Sequence, residues 1–130
     1  MSRLFLKAIS GLLGGLIELV VYLNDLQVFS YISQHVVHVT SIPLGIILHL
    51  VASVLVFLIG FTIIEKAGIV MKSLATAIVL GLMFGSSVLA LFSLPVHLIF
   101  IPFKFTLQYL IAHIIYGVSS TLIYWFLKER

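Results

Sequence analysis

The stretch IPLGIILHLVASVLVFLIGFTII, residues 42–64, runs for 23 residues without an Asp, Glu, Lys or Arg. About 20 mostly apolar residues, rising 1.5 Å each as a helix, cross a hydrocarbon core of roughly 30 Å. Only a helix or a closed barrel satisfies its backbone there, and a continuous apolar run with no two-residue alternation reads as helix. Three further windows have the same character, at about 4–24, 73–94 and 105–127, and little chain is left between them. The composition agrees: 62% of residues are hydrophobic and 8% charged, against roughly 25% charged in soluble domains. The expected fold is all-α, a polytopic membrane protein with four transmembrane helices forming one domain over residues 1–130.

The chain has no cysteine, which excludes disulfides, thiolate nucleophiles and Cys-based zinc or iron–sulfur sites. Seven Lys/Arg stand against four Asp/Glu, too few and too scattered for a nucleic-acid footprint. The basic residues speak to topology instead. With four spans, Arg3, Lys7, Lys66, Lys72, Lys128 and Arg130 fall on one side and only Lys104 on the other. By the positive-inside rule, both termini are expected in the cytoplasm and the protein in the cell membrane. The first window follows Arg3 as a signal peptide would, but it lacks an A-x-A-like cleavage site and carries Glu18, so it is expected to be retained.

Two connections on the outer side carry patterns of their own. Residues 25–41, DLQVFSYISQHVVHVTS, place Val28, Phe29, Ile32, Val36 and Val39 on one helical arc, with Gln27, Ser30, Ser33, Gln34 and Thr40 outside it. That pattern predicts a helix lying in the outer interface between spans 1 and 2. In residues 94–104, LPVHLIFIPFK, Pro95 and Pro102 remove backbone donors. An interfacial or re-entrant turn and a kinked extension of the third span all fit that stretch.

Spans 1 and 3 each carry GxxxG, Gly11 to Gly15 and Gly81 to Gly85, while spans 2 and 4 each carry one histidine, His49 and His113. The matching offsets are 70 and 64 residues, an order that predicts two parallel hairpin repeats. Small residues let helix backbones approach closely where no hydrophobic force drives association, so the four glycines are expected at helix–helix seams.

Glu18, His49 and His113 are expected at one depth, about 9–12 Å below the outer edge of the hydrocarbon. Each lies on a small or polar stripe: Gly11, Gly15, Glu18 and Tyr22; Gly45, His49, Ser53 and Gly60; Tyr109, His113, Tyr116 and Ser120. A central charge facing lipid costs about 2.5–3.5 kcal/mol on insertion scales, so these faces should turn inward. Four readings follow: an interhelical hydrogen-bond cluster, a proton or quinol (quinone) site, a b-type haem held by His49 and His113, and a small-molecule or ion path. Asp25, His35, His38 and His97 form a weaker outer-surface set of metal-ligand type. No G-x-S-x-G, H-E-x-x-H or P-loop pattern is present.

The segments LGIILHLVASVLVFLIGF, GLMFGSSVLALFSLPVHLIFIP and LIAHIIYGVSSTLIYW together resemble small four-span prokaryotic membrane proteins of the YagU-like type, over roughly residues 11–126. The resemblance implies a four-helix fold, with His49 and His113 where such proteins carry their span histidines, and no activity. The leading expectation is a non-enzymatic accessory subunit of a larger, energy-transducing membrane complex, with the lipid bilayer and other membrane subunits as partners and no required cofactor. The alternatives are a proton-, quinol- or haem-linked redox module using Glu18, His49 and His113, and a small homo-oligomeric transporter or channel.

Overall fold

A computed structural model describes residues 2–99 and 106–129. Of the structure, 84% is helical, and no described residue lies in a strand. The helices are α1 (Arg3–Val21), α2 (Gln27–Val37), α3 (Ile42–Lys66), α4 (Leu74–Val88), α5 (Leu94–Ile99) and α6 (Leu107–Lys128), with a π-helical turn, Leu89–Ser93, joining α4 to α5. Among the described residues four helical stretches are long and apolar enough to cross a membrane: α1, α3, the continuous Leu74–Ile99 and α6. These mark a multi-pass membrane protein whose apolar faces suit a lipid bilayer.

Each of the four begins at a hydroxyl. The side chains of Ser2, Ser41, Ser73 and Thr106 accept from the backbone N–H three residues on, at Phe5, Leu44, Thr76 and Tyr109. A helix start leaves four N–H groups without intrahelical partners, and such caps satisfy one of them. The third span runs past its expected end. Pro95 would clash with the carbonyl four residues back in an α-helix, and the π-helical turn just before it relaxes that ladder, with Leu94 N–H bonding to Leu89 O. Residues 94–99 therefore extend the third span, while Pro102 and Lys104 lie outside the described residues, as does Arg130.

The helices pack in the spatial order α3, α1, α6, α4, with α2 laid on α3. Glycines set the close approaches. A Cβ on Gly11 would come within 2.8 Å of Ser53 O and 2.9 Å of Phe57 Cβ on α3; one on Gly15 would meet Ser53 Cβ at 2.7 Å. On the other side of the molecule a Cβ on Gly81 would stand 2.7 Å from Val118 Cα of α6, and one on Gly85 would meet His113 O and Ile114 Cα. Gly117 and Gly14 are as tightly placed, the first against the Gly85 backbone and the second against Ser120. Such gaps admit hydrogen and nothing larger.

No comparable seam joins α3 to α4. Between them stand Phe57, Phe61 and Phe84, whose rings meet at centroid distances of 4.6–5.7 Å and, with Leu6, Tyr116 and Tyr124, form one buried core. Beyond this aromatic block α3 and the π-helical turn separate. The smaller second core, Tyr22, Phe29 and Ala112, ties α2 to the ends of α1 and α6.

The arc expected on α2 is only partly the buried one. Phe29 is buried, but so are Ser30 and Ser33, whereas Val36 and Val39 are more than half exposed. Ser33 turns inward because it holds the chain reversal: its Oγ donates to Ser41 O and accepts from Ser41 N–H, at 2.8 and 2.9 Å, while Ser30 Oγ donates back to Gln27 O at 2.7 Å. Hydrogen bonding, not apolar periodicity, sets that side of the helix.

Gly117→Ala should cost roughly 1–3 kcal/mol, as overpacked sites do, read as a lower unfolding midpoint in mild detergent. Met83→Ala, on the partner helix α4 of that seam but 62% exposed, should leave the midpoint within about 0.5 kcal/mol.

Candidate functional site

Glu18 lies one turn beyond Gly15 on the face of α1 that meets α3 and α6, and only 2% of it is exposed. Because glycine at 11, 14 and 15 draws α1 against both neighbours, the carboxylate at 18 arrives between two histidines. His49 Nε2 of α3 is 3.4 Å from Glu18 Oε2, and His113 Nδ1 of α6 is 3.6 Å from Glu18 Oε1. The three side chains of the expected layer are thus brought together.

Hydrogen bonding fixes one tautomer. His113 Nδ1 is 2.9 Å from Tyr109 O, and a carbonyl only accepts, so Nδ1 carries the hydrogen and Nε2 of the neutral ring is an acceptor. Glu18 Oε1 and His49 Nε2 are buried and make no hydrogen bond. Their separations from the neighbouring groups lie beyond ordinary hydrogen-bond length. Tyr116, one turn below His113, donates to Ser53 O at 2.5 Å and holds α6 to α3 beneath the cluster. Phe29 of α2 packs edge-on against His49, with centroids 5.3 Å apart.

Beside the cluster is a cavity of about 340 Å³. Glu18, His49 and His113 line one part of it, and apolar side chains of α2, α3 and the π-helical turn line the rest, among them Val28, Ile32, Val36, Leu55 and Phe92. The apolar arc of α2 therefore faces this cavity. Val51, Leu55 and Phe92 line it and are about half exposed (51%, 51% and 46%), so its mouth lies along the side of the bundle, between α3 and the π-helical turn.

The outer set of ligand-type residues is dispersed. Asp25 is exposed in the turn after α1, His35 Nδ1 donates back to Tyr31 O at 2.8 Å, and His38 ends α2 in a left-handed conformation with φ 59°. His97 packs on Tyr109 at the cavity wall. Among the described residues no set of three or more His, Asp or Glu side chains could hold a metal ion.

A second polar cluster, at the opposite end of the bundle, escaped sequence reasoning, which took Lys7 only as a topology charge. Lys7 is 3% exposed; its Nζ lies 2.8 Å from Glu65 Oε2 and donates to Thr62 Oγ1 at 2.9 Å. Tyr124 donates to Glu65 Oε1 at 2.6 Å, and Lys128 stands 3.4 Å from the same oxygen. One carboxylate joins α1, α3 and α6. The available signal was position: Lys7 sits four residues before Gly11, on the small-residue stripe that also carries Glu18.

Comparison with known proteins adds no relative: no family model, curated protein or solved structure matches the chain.

Lys7→Met should destabilise the protein by roughly 2 kcal/mol, less than the about 3–5 of a fully buried pair because Glu65 is partly exposed. Adding Glu65→Gln to it should restore most of the loss, since the charge then left alone, Lys128, is partly exposed. Denaturant titration of the detergent-solubilised protein, taken as a double-mutant cycle, measures both.

Proposed function

We propose that this chain is a small membrane module whose Glu18, His49 and His113 take up and release a proton at the wall of the cavity. The observation that carries the reading is a buried carboxylate with an imidazole on either side, at 3.4 and 3.6 Å, and one oxygen left without a hydrogen bond. A lone carboxylate ion in a water-poor interior costs several kcal/mol. The cluster therefore holds a compensating positive charge or a proton, and three adjoining sites give that proton more than one place to reside. Intramembrane acids and histidines in such chains are the usual parts of proton relays.

A b-type haem draws no support from this arrangement. His49 Nε2 and His113 Nδ1 both turn to the same carboxylate, and an iron between two imidazoles needs that space empty. The accessory-subunit reading is compatible with the site, which is then what the chain contributes to a larger assembly.

In this reading the membrane is the cell membrane and the termini are cytoplasmic. Arg3, Lys66, Lys72 and Lys128 stand at the end of the bundle where α1 and α4 begin and α3 and α6 finish, as the positive-inside rule requires of a cytoplasmic face. Glu18 is then in the outer half, and α2 lies at the outer boundary.

The two-hairpin repeat is part of the same proposal. Gly11 meets Ser53, Val54 and Phe57, and Gly81 meets Gly117, Val118 and Thr121; the offsets of 70 and 64 carry each of these residues onto its counterpart. Gly15 with Leu50 and Ser53 maps likewise onto Gly85 with Ile114 and Gly117. By the same offsets the close pair Gly14 and Ser120 corresponds to Phe84 and Val56. Glycine lets α1 and α6 touch, whereas phenylalanine holds α4 away from α3. The cavity occupies that second, opened seam, and Val88 stands where a second Glu18 would be.

Infrared spectroscopy of the reconstituted protein tests the proton site. A protonated-carboxyl band should titrate reversibly with pH, vanish in Glu18→Gln, and titrate at a different pH in His49→Ala. A Glu18→Gln spectrum identical to the wild type at every pH would end the proposal.

A further inference from the structure

We infer that the cavity is a binding site for an amphiphilic organic cation, an apolar body with an ammonium-like head, which enters from the lipid and sets its head against Glu18. The inference rests on the proton-exchange reading of that carboxylate and names what competes with the proton.

Charge comes first. Of the described residues lining the cavity, Glu18 is the only acid, and no Lys or Arg is among them. The titratable groups around it are Tyr22 just after α1, His49 on α3, His97 on α5, and Tyr109, His113 and Tyr116 on α6; α2 adds only apolar side chains to the lining. An anion would find no fixed positive charge among these described residues. A cation finds one carboxylate, buried, with Oε1 carrying no hydrogen bond.

The second consideration is what the body of such a ligand would touch. Beyond the cluster the wall includes Val28, Ile32, Val36, Leu55, Val88 and Phe92, aliphatic and aromatic surface that takes a hydrophobic body. Pockets of this kind are largely apolar with a few polar groups that fix orientation. Here the one carboxylate is held with His49 and His113 in a single cluster, which matches a molecule with one charged end.

The third is access. Phe84 lies against Phe57 and Phe61 and keeps α3 and α4 from closing on each other. Above that block the mouth is flanked by Val51 and Leu55, on the middle turns of α3, and by Phe92 on the π-helical turn. The middle of a membrane-spanning helix faces hydrocarbon, so the entrance opens to lipid. The α2 helix lies across the cavity with Val28, Ile32 and Val36.

Proton and cation then compete for one carboxylate. Binding of the cation displaces the proton from the Glu18 cluster, and the charge in the cavity is balanced in both states.

Tetraphenylphosphonium is a suitable probe, titrated into the purified protein in detergent by calorimetry, with a weakly buffered pH dye reporting released protons. Saturable binding should weaken as the pH falls and should release protons. Glu18→Gln should reduce affinity at least about tenfold. Leu55→Trp, at an exposed position on the mouth, should do so too while the unfolding midpoint stays as in the wild type. Absence of saturable binding, or binding unchanged in Glu18→Gln, overturns the cation site, even where the infrared titration of Glu18 holds. Tighter binding of a short-chain quinol than of the phosphonium overturns it in favour of a neutral hydrogen-bond donor. Binding that depends on Glu18 but releases no proton keeps the cation site and refutes the proton-exchange reading.

Discussion

The structure depends on helix backbones that touch. In lipid no hydrophobic force drives one apolar helix onto another, so contact area and polar pairing must hold the bundle. Gly11 and Gly15 supply that contact between α1 and α3, Gly81, Gly85 and Gly117 between α4 and α6, and Gly14 against Ser120 between α1 and α6. Each removes a side chain where backbones would otherwise stand apart. Lys7 and Glu18 of α1 are then carried into the interior, where Lys7 meets Glu65 at one end and Glu18 meets two histidines nearer the other.

The two buried clusters differ in a way that separates stability from chemistry. Lys7, Thr62, Glu65 and Tyr124 are joined by contacts of 2.6–2.9 Å, with Lys128 at 3.4 Å, and the Glu65 carboxylate is paired. Such a network fixes three helices in place. At Glu18 the contacts are longer and two polar atoms have no hydrogen-bond partner. Buried polar atoms are nearly always satisfied in folded proteins, so an unsatisfied pair beside a cavity sets this cluster apart from the one at Glu65.

Much of this was legible in the sequence. The four spans follow from hydropathy, and the depth and stripe of Glu18, His49 and His113 follow from helical spacing, which is regular in α1, α3 and α6. Three things were not legible. The end of the third span was ambiguous because Pro95 signals a break, yet one π-helical turn absorbs it and shifts the phase of every later residue, so that His97 reaches the cavity wall on a register that counting from Gly85 does not give. The buried face of α2 was misjudged at Ser30 and Ser33, whose hydroxyls are engaged in hydrogen bonds, Ser30 with Gln27 O inside the helix and Ser33 with the turn to α3. Lys7 was read for its charge, and only a neighbouring helix carrying Glu65 explains why a lysine is buried.

The mouth between α3 and the π-helical turn has a quantitative consequence. Val51, Leu55 and Phe92 edge it at mid-span, so the concentration that governs occupancy is the one dissolved in the bilayer, not the one in water. Partitioning multiplies that concentration by about fourfold for each methylene added to a solute, at ~0.8 kcal/mol apiece. A pocket with only modest intrinsic affinity would then fill at low aqueous levels, and its apparent selectivity would track oil solubility as much as fit.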